Sequence, residues 1–336
     1  MRAALLDGYG GAERLRVAEV PDAPPPRRGQ VRVRVHAASL NPIDWKVCAG
    51  YFRLIPGQRM PMIPGSDCSG VVDAVGDGVA EFKPGDAVFG LISGGVGHTF
   101  AQLVTAPAKR FAHKPANVSH HEAASAALVG VTVLEALTRG TRLAAGQRVF
   151  VSAGAGGVGS FAVQYARSVG AQVLASAGAA NLDFVRGLGA ETVFDYATTD
   201  CAAQLSDLDV IFDAWGDLDA RRYLTCLKPG GVFLTTGSGG RSMEDLATRY
   251  GKRWWLFGGL ADVLRLRWQA RREGRQVAMV FAQPRAEHLQ RIARLLESGA
   301  VKAQVGQVYA LDDIARAFAD GQTGHARGKR VIDLGA

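Results

Sequence analysis

The sequence is poor in cysteine and carries no long apolar run. Four cysteines occur in 336 residues, Cys48, Cys68, Cys201 and Cys226, and none belongs to a C-x-x-C pair. That argues against a disulfide framework and against a thiolate zinc site, and it suits a reducing compartment. No stretch of about 18 uninterrupted apolar residues is present, so neither a membrane span nor a membrane partner is expected. The first residues, "MRAALLDGYGG", already alternate like a strand and leave no room for a presequence, which makes a cytoplasmic protein the expectation.

Acidic residues are scarce over one region. Between Arg241 and Arg294 stand 12 Lys/Arg against five Asp/Glu, and this region supplies most of the formal net charge of +8. An excess of that kind raises nucleic acid as a partner. No aromatic-interleaved groove or recognition-helix pattern accompanies it, so nucleic acid is not expected. A solvated face beside a polyanionic cofactor is the simpler reading. The arginine-rich "LRLRWQARREGRQ" within this region has no role assigned by pattern alone.

What is present is a chain of two rhythms, long enough for two domains and with a 48% hydrophobic fraction to fill their cores. The first 118 or so residues read as short, often alternating strands, among them "RAALLD", "QVRVRVHAASL", "CSGVVDAV" and "DAVFGL". Pro and Gly clusters separate them, as in a barrel-like domain. At Ser119 the rhythm changes. Ser119 and Glu122 form a capping-box pattern ahead of a helical run. Apolar strands ("RVFVSA", "QVLASA", "TVFDY", "DVIFDAW", "GVFLTTG") then alternate with helical segments, which implies a parallel sheet covered on both faces. "KRWWLFGGL" is a candidate sixth strand. The closing residues read as helix, strand, helix, strand. The expected fold is therefore α/β: a β-barrel domain from residues 1–118 and 263–336, and a doubly wound domain with a parallel sheet from residues 119–262.

Gly154, Gly156 and Gly159 are spaced G-x-G-x-x-G between the strand "RVFVSA" and a helix, and "QVLASA" closes a β-α-β unit of about 30 residues. The first glycine permits the tight turn, the second lets backbone approach a pyrophosphate, and the third lets helix and strand pack closely. Gly157 and Val158 open the helix, whose unpaired N–H groups and partial positive charge favour an anion. A dinucleotide is the expected ligand. NAD-preferring sites carry an acid at the end of the second strand, for the ribose 2′-hydroxyl. Here Leu174–Asn181 contains no acid. Ser176, Asn181 and Tyr196 can instead bond a 2′-phosphate, and NADPH is the expected cofactor. Thr236, Gly237 and Ser238 end a later strand at the carboxyl edge, where ligands bind in open α/β folds.

An ordered set of segments now becomes recognisable: "SLNPIDWKVCAG", "IPGSDCSGVVDAVGDGV", "FKPGDAVFG", "LVGVTVLEAL", "AGAGGVGSFAVQYARSVGAQV", "LGAETVFDY", "LKPGGVFL" and "GHARGKRVIDL". Together, over essentially the whole chain, they resemble the medium-chain dehydrogenase/reductase superfamily, in particular its zinc-independent, zeta-crystallin-like quinone oxidoreductase branch. The resemblance implies a GroES-like catalytic domain, a Rossmann domain, NADPH and a homodimer. Zinc-dependent alcohol dehydrogenases of this superfamily place a Cys at Asn41 and a His at Ser66, within Gly-His-Glu, where this chain has Gly65-Ser66-Asp67. Neither Asn41 nor Ser66 supplies the thiolate or imidazole of a zinc site, so no metal is expected.

Without a metal to stabilise an alkoxide, hydride delivery to an already electrophilic acceptor is the easier chemistry. The expected activity is NADPH-dependent reduction of a quinone or α,β-unsaturated carbonyl. The alternatives are an alcohol dehydrogenase-like enzyme with atypical metal binding and a non-catalytic NADPH-binding regulatory module. The resemblance places the loop of Asn41 and Asp44 beside the nicotinamide. There Asn41 can donate its amide N–H to an acceptor oxygen or to the cofactor, Asp44 orders the loop or the ribose, and Tyr51 offers its hydroxyl to the pocket. Thr132, Phe281 and Lys329 match family cofactor contacts.

Overall fold

The computed structural model describes residues 1–53, 59–93, 96–237, 248, 255–324 and 326–335, without the side chains of 255–257. The chain forms two compact units, one from Met1–Val131 with Pro284–Ala336 and the other from Thr132–Gln283.

The first unit is a seven-stranded sheet with a small two-stranded one. Its strands are β1 (Arg2–Leu6), β2 (Leu15–Glu19), β3 (Gln30–Ser39), β4 (Asp67–Val75), β5 (Ala87–Leu91), β6 (Leu103–Pro107) and β7 (Phe111–His113), joined near the C-terminus by two more. β1 pairs with β2. The larger sheet is organised by β3, ten residues long. β4 follows one edge of β3, and its other edge is shared between β6, opposite Gln30–Arg34, and the last strand of the chain, opposite Ala37–Ser39. Val31, Val33 and Val35 point into the core while Arg32 and Arg34 face Asp73 on β4, at 2.6 and 3.1 Å, which is the period-2 alternation of a strand with one wet face. From Ala37 the alternation stops and every residue to Asn41 is buried. A strand end sealed in this way can hold polar groups only if they are bonded to one another.

The second unit contains β8 (Arg148–Val151), β9 (Gln172–Ala177), β10 (Thr192–Asp195), β11 (Leu208–Asp213), β12 (Leu227–Thr235) and β13 (Gln276–Met279), parallel throughout in the order β10-β9-β8-β11-β12-β13. Phe150, Ile211, Phe212 and Phe233 are fully buried, as expected of central parallel strands covered on both faces. Strand order reverses between β8 and β11. That switch point at the carboxyl edge is where open α/β sheets bind ligands. β14 (Val305–Ala310) and β15 (Lys329–Asp333) belong to the first unit, where β15 lies antiparallel to β3.

The helix over His120–Leu134 begins with the expected reciprocal cap. The Ser119 N–H donates to the Glu122 carboxylate at 2.7 Å and the Glu122 N–H to the Ser119 hydroxyl at 3.2 Å. With the turn that follows, His120–Gly140 is long and apolar enough to cross a bilayer, but 72% of its most apolar window is buried inside the protein. One strand expectation fails. Trp255–Leu260, from "KRWWLFGGL", opens a helix, Trp255–Arg272, and the sixth strand is Gln276–Met279 instead. A short apolar run has no period of its own, whereas Val263, Leu266 and Ala270 downstream repeat at helical spacing and bury one face. Lys252, Arg253 and Trp254 of this stretch lie outside the described residues.

Candidate functional site

The second unit carries the glycine turn as expected. β8 ends at Val151, and the helix Gly157–Ser168 starts after Gly156 as its N-cap. The Gly154 N–H donates to the Ser176 carbonyl at 2.7 Å, which ties the turn to the end of β9. A Cβ at Gly159 would lie 2.1 Å from the Ala153 carbonyl oxygen, and one at Gly154 2.9 Å from Val185, so the fold itself demands these two glycines. Gly156 differs. A Cβ there would meet only the Ala153 oxygen, at an ordinary 3.4 Å. The fold makes no use of that space, and a ligand backing onto the turn can. Ala153 is held at φ 50°, the left-handed region, at a cost of roughly 1–2 kcal/mol. Strain of this kind in a turn facing the switch point favours a binding role over a merely structural one.

Beyond β9 the structure brings Tyr196 to Gly178: a Cβ on Gly178 would lie 3.3 Å from the Tyr196 hydroxyl, and the ring is 54% exposed. Asn181 closes a short 3-10 turn, its N–H on the Gly178 carbonyl at 2.8 Å. Ser176, by contrast, is buried. Asp195, which pairs in register with Ala177, is an acid near this strand end that the linear reading passed over. Its Oδ1 accepts the Ala197 N–H at 3.0 Å and so turns back into its own loop.

A second feature missed from sequence is Asp213, at the carboxyl end of β11. Its carboxylate accepts bonds from the hydroxyls of Ser152 (3.1 Å) and Thr235 (2.9 Å) and from the N–H groups of Gly216 (2.9 Å) and Leu218 (3.3 Å). One buried acid thus pins the ends of β8, β11 and β12 together at the switch point. Burial pushes it up to about 6 against the pull of these donors. Thr236 bonds the carbonyls of Asp213 and Ala214, and the Gly237 N–H bonds Thr235 Oγ1 at 3.0 Å. Gly216 and Gly237 pack backbone on backbone, since a Cβ on Gly237 would sit 1.9 Å from the Gly216 oxygen. The available signal was an acid ending an otherwise apolar strand, "VIFD". Thr132 is buried within this unit, and Phe281 is 65% exposed just past β13. Ser238 lies outside the described residues.

The first unit holds Asn41 and Asp44 in a closed, buried network. Their segment, expected as a loop, is the helix Pro42–Cys48, with Pro42 at its first position, where a missing N–H costs nothing. Asp44 Oδ2 accepts the Asn41 N–H at 2.8 Å, and Oδ1 accepts the Ser66 hydroxyl at 2.5 Å. Asp67 Oδ1 accepts from the Ser39 hydroxyl (2.8 Å) and Asn41 Nδ2 (3.0 Å), and its Oδ2 accepts from the Leu128 N–H (3.0 Å). Lys329 Nζ donates to the Leu40 carbonyl at 2.6 Å and to Asn41 Oδ1 at 2.5 Å.

That last contact fixes the amide. An ammonium only donates, so Oδ1 must face Lys329. Nδ2 then spends its two hydrogens on Asp67 and on the Ser39 carbonyl at 3.0 Å. Asn41 holds the strand end together and has no N–H left to offer. Tyr51 sits half-buried in the turn after the Pro42–Cys48 helix.

Two carboxyl groups and one ammonium are buried here, and an uncompensated charge would be expensive. Neutrality requires one proton on a carboxyl. Asp67 accepts three bonds and is the better carboxylate. Burial and the Asp67 charge push Asp44 up to about 7, against the Ser66 bond. Burial lowers Lys329, while the charges of Asp67 and Asp44 hold it up. Cys48 and Cys68 are buried thiols whose pKa burial raises, Cys48 to about 12, so neither offers a thiolate.

Comparison with known proteins decides the family. Residues 27–116 match the alcohol dehydrogenase GroES-like domain, and 188–332 match the family described as zinc-binding dehydrogenase. The chain is 33% identical to the chloroplast envelope quinone oxidoreductase homolog of Arabidopsis thaliana, over 99% of this chain and 98% of that protein. It belongs to the medium-chain dehydrogenase/reductase superfamily. Within that superfamily it is an oxidoreductase of the quinone oxidoreductase branch. It is also 31% identical to the mitochondrial NAD(P)H oxidoreductase RTN4IP1 of Danio rerio, over 99% of this chain and 91% of that one. The solved quinone oxidoreductase of Coxiella burnetii superposes with a TM-score of 0.84 at 27% identity, covering 99% of both chains. The seven-stranded unit is thus the superfamily's GroES-like domain and the parallel sheet its Rossmann domain.

These relatives correct one expectation. By name the Arabidopsis and Danio relatives are a chloroplast and a mitochondrial protein, and the cytoplasmic placement read from the thiols and the N-terminal strand is not retained.

Proposed function

We infer that the chain is an NADPH-dependent, metal-free reductase of quinones or α,β-unsaturated carbonyls. The observation that carries the metal-free part is the Lys329 ammonium, 2.5 Å from Asn41 Oδ1. At the positions where zinc-dependent members place Cys and His, this chain has an amide and a hydroxyl. Both are committed to buried carboxyl groups beside a resident cation. A divalent ion would have to break that network and repel the ammonium, so the residues do not fit zinc, whatever the description of the matched family.

The residues do fit a dinucleotide. The unfilled space at Gly156 and the first-turn N–H groups of Gly157, Val158 and Gly159 would hold the pyrophosphate. Tyr196 and Asn181 would hold a 2′-phosphate, with the Ser176 carbonyl fixing the turn. Thr236 and Gly237, braced by Asp213, shape the carboxyl edge, and Thr132 and Phe281 are further candidate contacts. When bound, reduced nicotinamide supplies a hydride, and a quinone or enone takes it up with a proton from water.

In this reading Asn41 and Asp44 are positioning residues. They and Lys329 hold the Leu40–Asn41 backbone at the start of the Pro42–Cys48 helix, and Tyr51, in the turn after that helix, is the candidate hydroxyl donor. A homodimer is part of the same proposal.

The test is an acceptor screen with NADPH and NADH over naphthoquinone, phenanthrenequinone and simple enones, with and without a chelator. Turnover with NADPH that survives chelation is the expected result. Loss of turnover on chelation would sink the metal-free reading, and tight NADPH binding without turnover would favour a regulatory module.

A further inference from the structure

The helix Trp255–Arg272 has two unlike faces. Val263, Leu266 and Ala270 are buried, with Leu266 and Ala270 in the core of the second unit. On the outward face Leu260, Leu264 and Trp268 are 55%, 56% and 62% exposed. They stand four residues apart, so each step rotates about 40° around the axis and the three form one continuous stripe. Single exposed leucines are ordinary. A stripe of two leucines and a tryptophan on one helix is not.

The stripe is embedded in positive charge. Arg267 and Arg271 fall on the same face by helical spacing, and the Arg272 guanidinium lies 4.6 Å over the Trp268 ring. Arg265 flanks the far side, at 3.9 Å from Asp262, whose own side chain is only 20% exposed. Among the described residues of this helix, no carboxylate falls on the face of Leu260, Leu264 and Trp268 by helical spacing. Two copies of this face brought together would confront arginine with arginine. An anionic surface would meet complementary charge over the whole face.

The geometry points to this helix as a docking surface for an anionic lipid bilayer, lying in the plane of the interface with Leu260, Leu264 and Trp268 in the acyl boundary and the arginines among the headgroups. Leucine and tryptophan between arginines is the composition of helices that lie on membranes without crossing them. Arginine stems reach sideways, so the charged heads stay wet while the stripe is buried. No membrane partner was expected from a chain without a long uninterrupted apolar run, but a helix lying in the plane of the interface needs no such run. The inference does not depend on the hydride-transfer reading, because it concerns adsorption and not turnover.

Flotation of the full chain with phosphatidylcholine vesicles, with and without phosphatidylglycerol and free of quinone, tests it. Binding to the anionic vesicles only is expected, with release as salt shortens the screening length from about 10 Å to about 3 Å. An arginine near such a surface contributes about fivefold in partitioning, so Arg267→Ala with Arg271→Ala should weaken binding about 25-fold. Trp268→Ser should weaken it as well while leaving the melting temperature near that of the wild type.

Failure of the wild type to bind anionic vesicles at low salt would overturn the proposal. So would equal binding to neutral vesicles, or binding that the variants do not change. Self-association in lipid-free buffer that Trp268→Ser abolishes would also overturn it, by assigning the face to a second copy. The salt series on the wild type decides the matter even should a variant fail to fold.

Discussion

Gly156 and Gly159 lie three residues apart in the same turn, yet alanine should act on them in opposite ways. At Gly159 the new methyl would sit 2.1 Å from the Ala153 oxygen and 2.9 Å from the Gly154 Cα, both backbone atoms that cannot swing aside. The contact is short by roughly an ångström, and forcing atoms into a packed core costs about 1–3 kcal/mol. At about 2–4 °C per kcal/mol for a domain of this size, Gly159→Ala should lower the melting temperature by several degrees. At Gly156 the methyl meets one atom at 3.4 Å, and φ −73°, ψ 175° suits alanine as well as glycine. Alanine is a poorer N-cap than glycine by up to about 1 kcal/mol, and the stiffer unfolded chain returns about 0.4–1 kcal/mol, so stability should hold to within about 0.5 kcal/mol. The methyl does, however, occupy the space proposed for the pyrophosphate. Displacing a phosphate from one charge-assisted bond costs about 1.5–3 kcal/mol, or about 10- to 100-fold in affinity. The assay pairs thermal melting with titration of NADPH fluorescence. Stable Gly156→Ala protein with wild-type NADPH affinity would refute the reasoning, because the vacancy at that glycine would then serve nothing.

Lys329→Met should destabilise the first unit by about 3–5 kcal/mol in urea unfolding, since it leaves a buried carboxylate uncompensated and takes the ammonium from the Leu40 carbonyl and Asn41 Oδ1. Asp44→Asn should flatten part of the pH dependence of stability. A carboxyl raised from 3.8 to about 7 favours the fold below pH 4, and that contribution is lost as pH rises to 7, so wild-type minus variant stability should fall across this window and level off above it. Tyr196→Phe should raise the Kd for NADPH about 10- to 100-fold and leave NADH binding unchanged, and equal effects on both would remove Tyr196 from the 2′-phosphate site.

The parts of the molecule legible in the sequence are those whose requirements are local. The glycine turn reads directly because tight turning and close helix packing leave glycine as the only residue that fits at Gly154 and Gly159, and the spacing is set by one turn of helix. The Ser119–Glu122 cap is three residues wide. The parallel sheet announces itself in apolar strands at regular intervals. What escaped is what closes over distance. Lys329 is 288 residues from Asn41, and nothing near "RGKRV" says that its ammonium is buried. Asp213 looks like any strand-end acid until three strands converge on it. Asp195 escaped because adjacency to β9 comes from pairing and not from chain order. "WWLFGGL" was misjudged for a different reason, being too short and too uniformly apolar to show a period, and the helix it opens is defined by the residues after it.

The buried network also explains why the Asn41 side chain is a poor candidate for direct chemistry. A donor to a developing oxyanion must have a hydrogen free at the moment charge appears. Asn41 has two amide hydrogens, and both are held at 3.0 Å by acceptors that burial makes costly to abandon. Releasing one would strand either the Ser39 carbonyl or one bond of the Asp67 carboxylate in a dry interior. Lys329 closes the remaining route, since its hold on Oδ1 prevents the amide from flipping. What the cluster can supply is position: the end of β3, the first turn of the Pro42–Cys48 helix and the start of β15 are locked to one another by a set of charges that sums to neutral with one proton on a carboxyl. In the proposed reaction the chemistry would fall to groups outside the network, and an electrophilic acceptor, which needs little more than a hydride and a proton from water, suits that division.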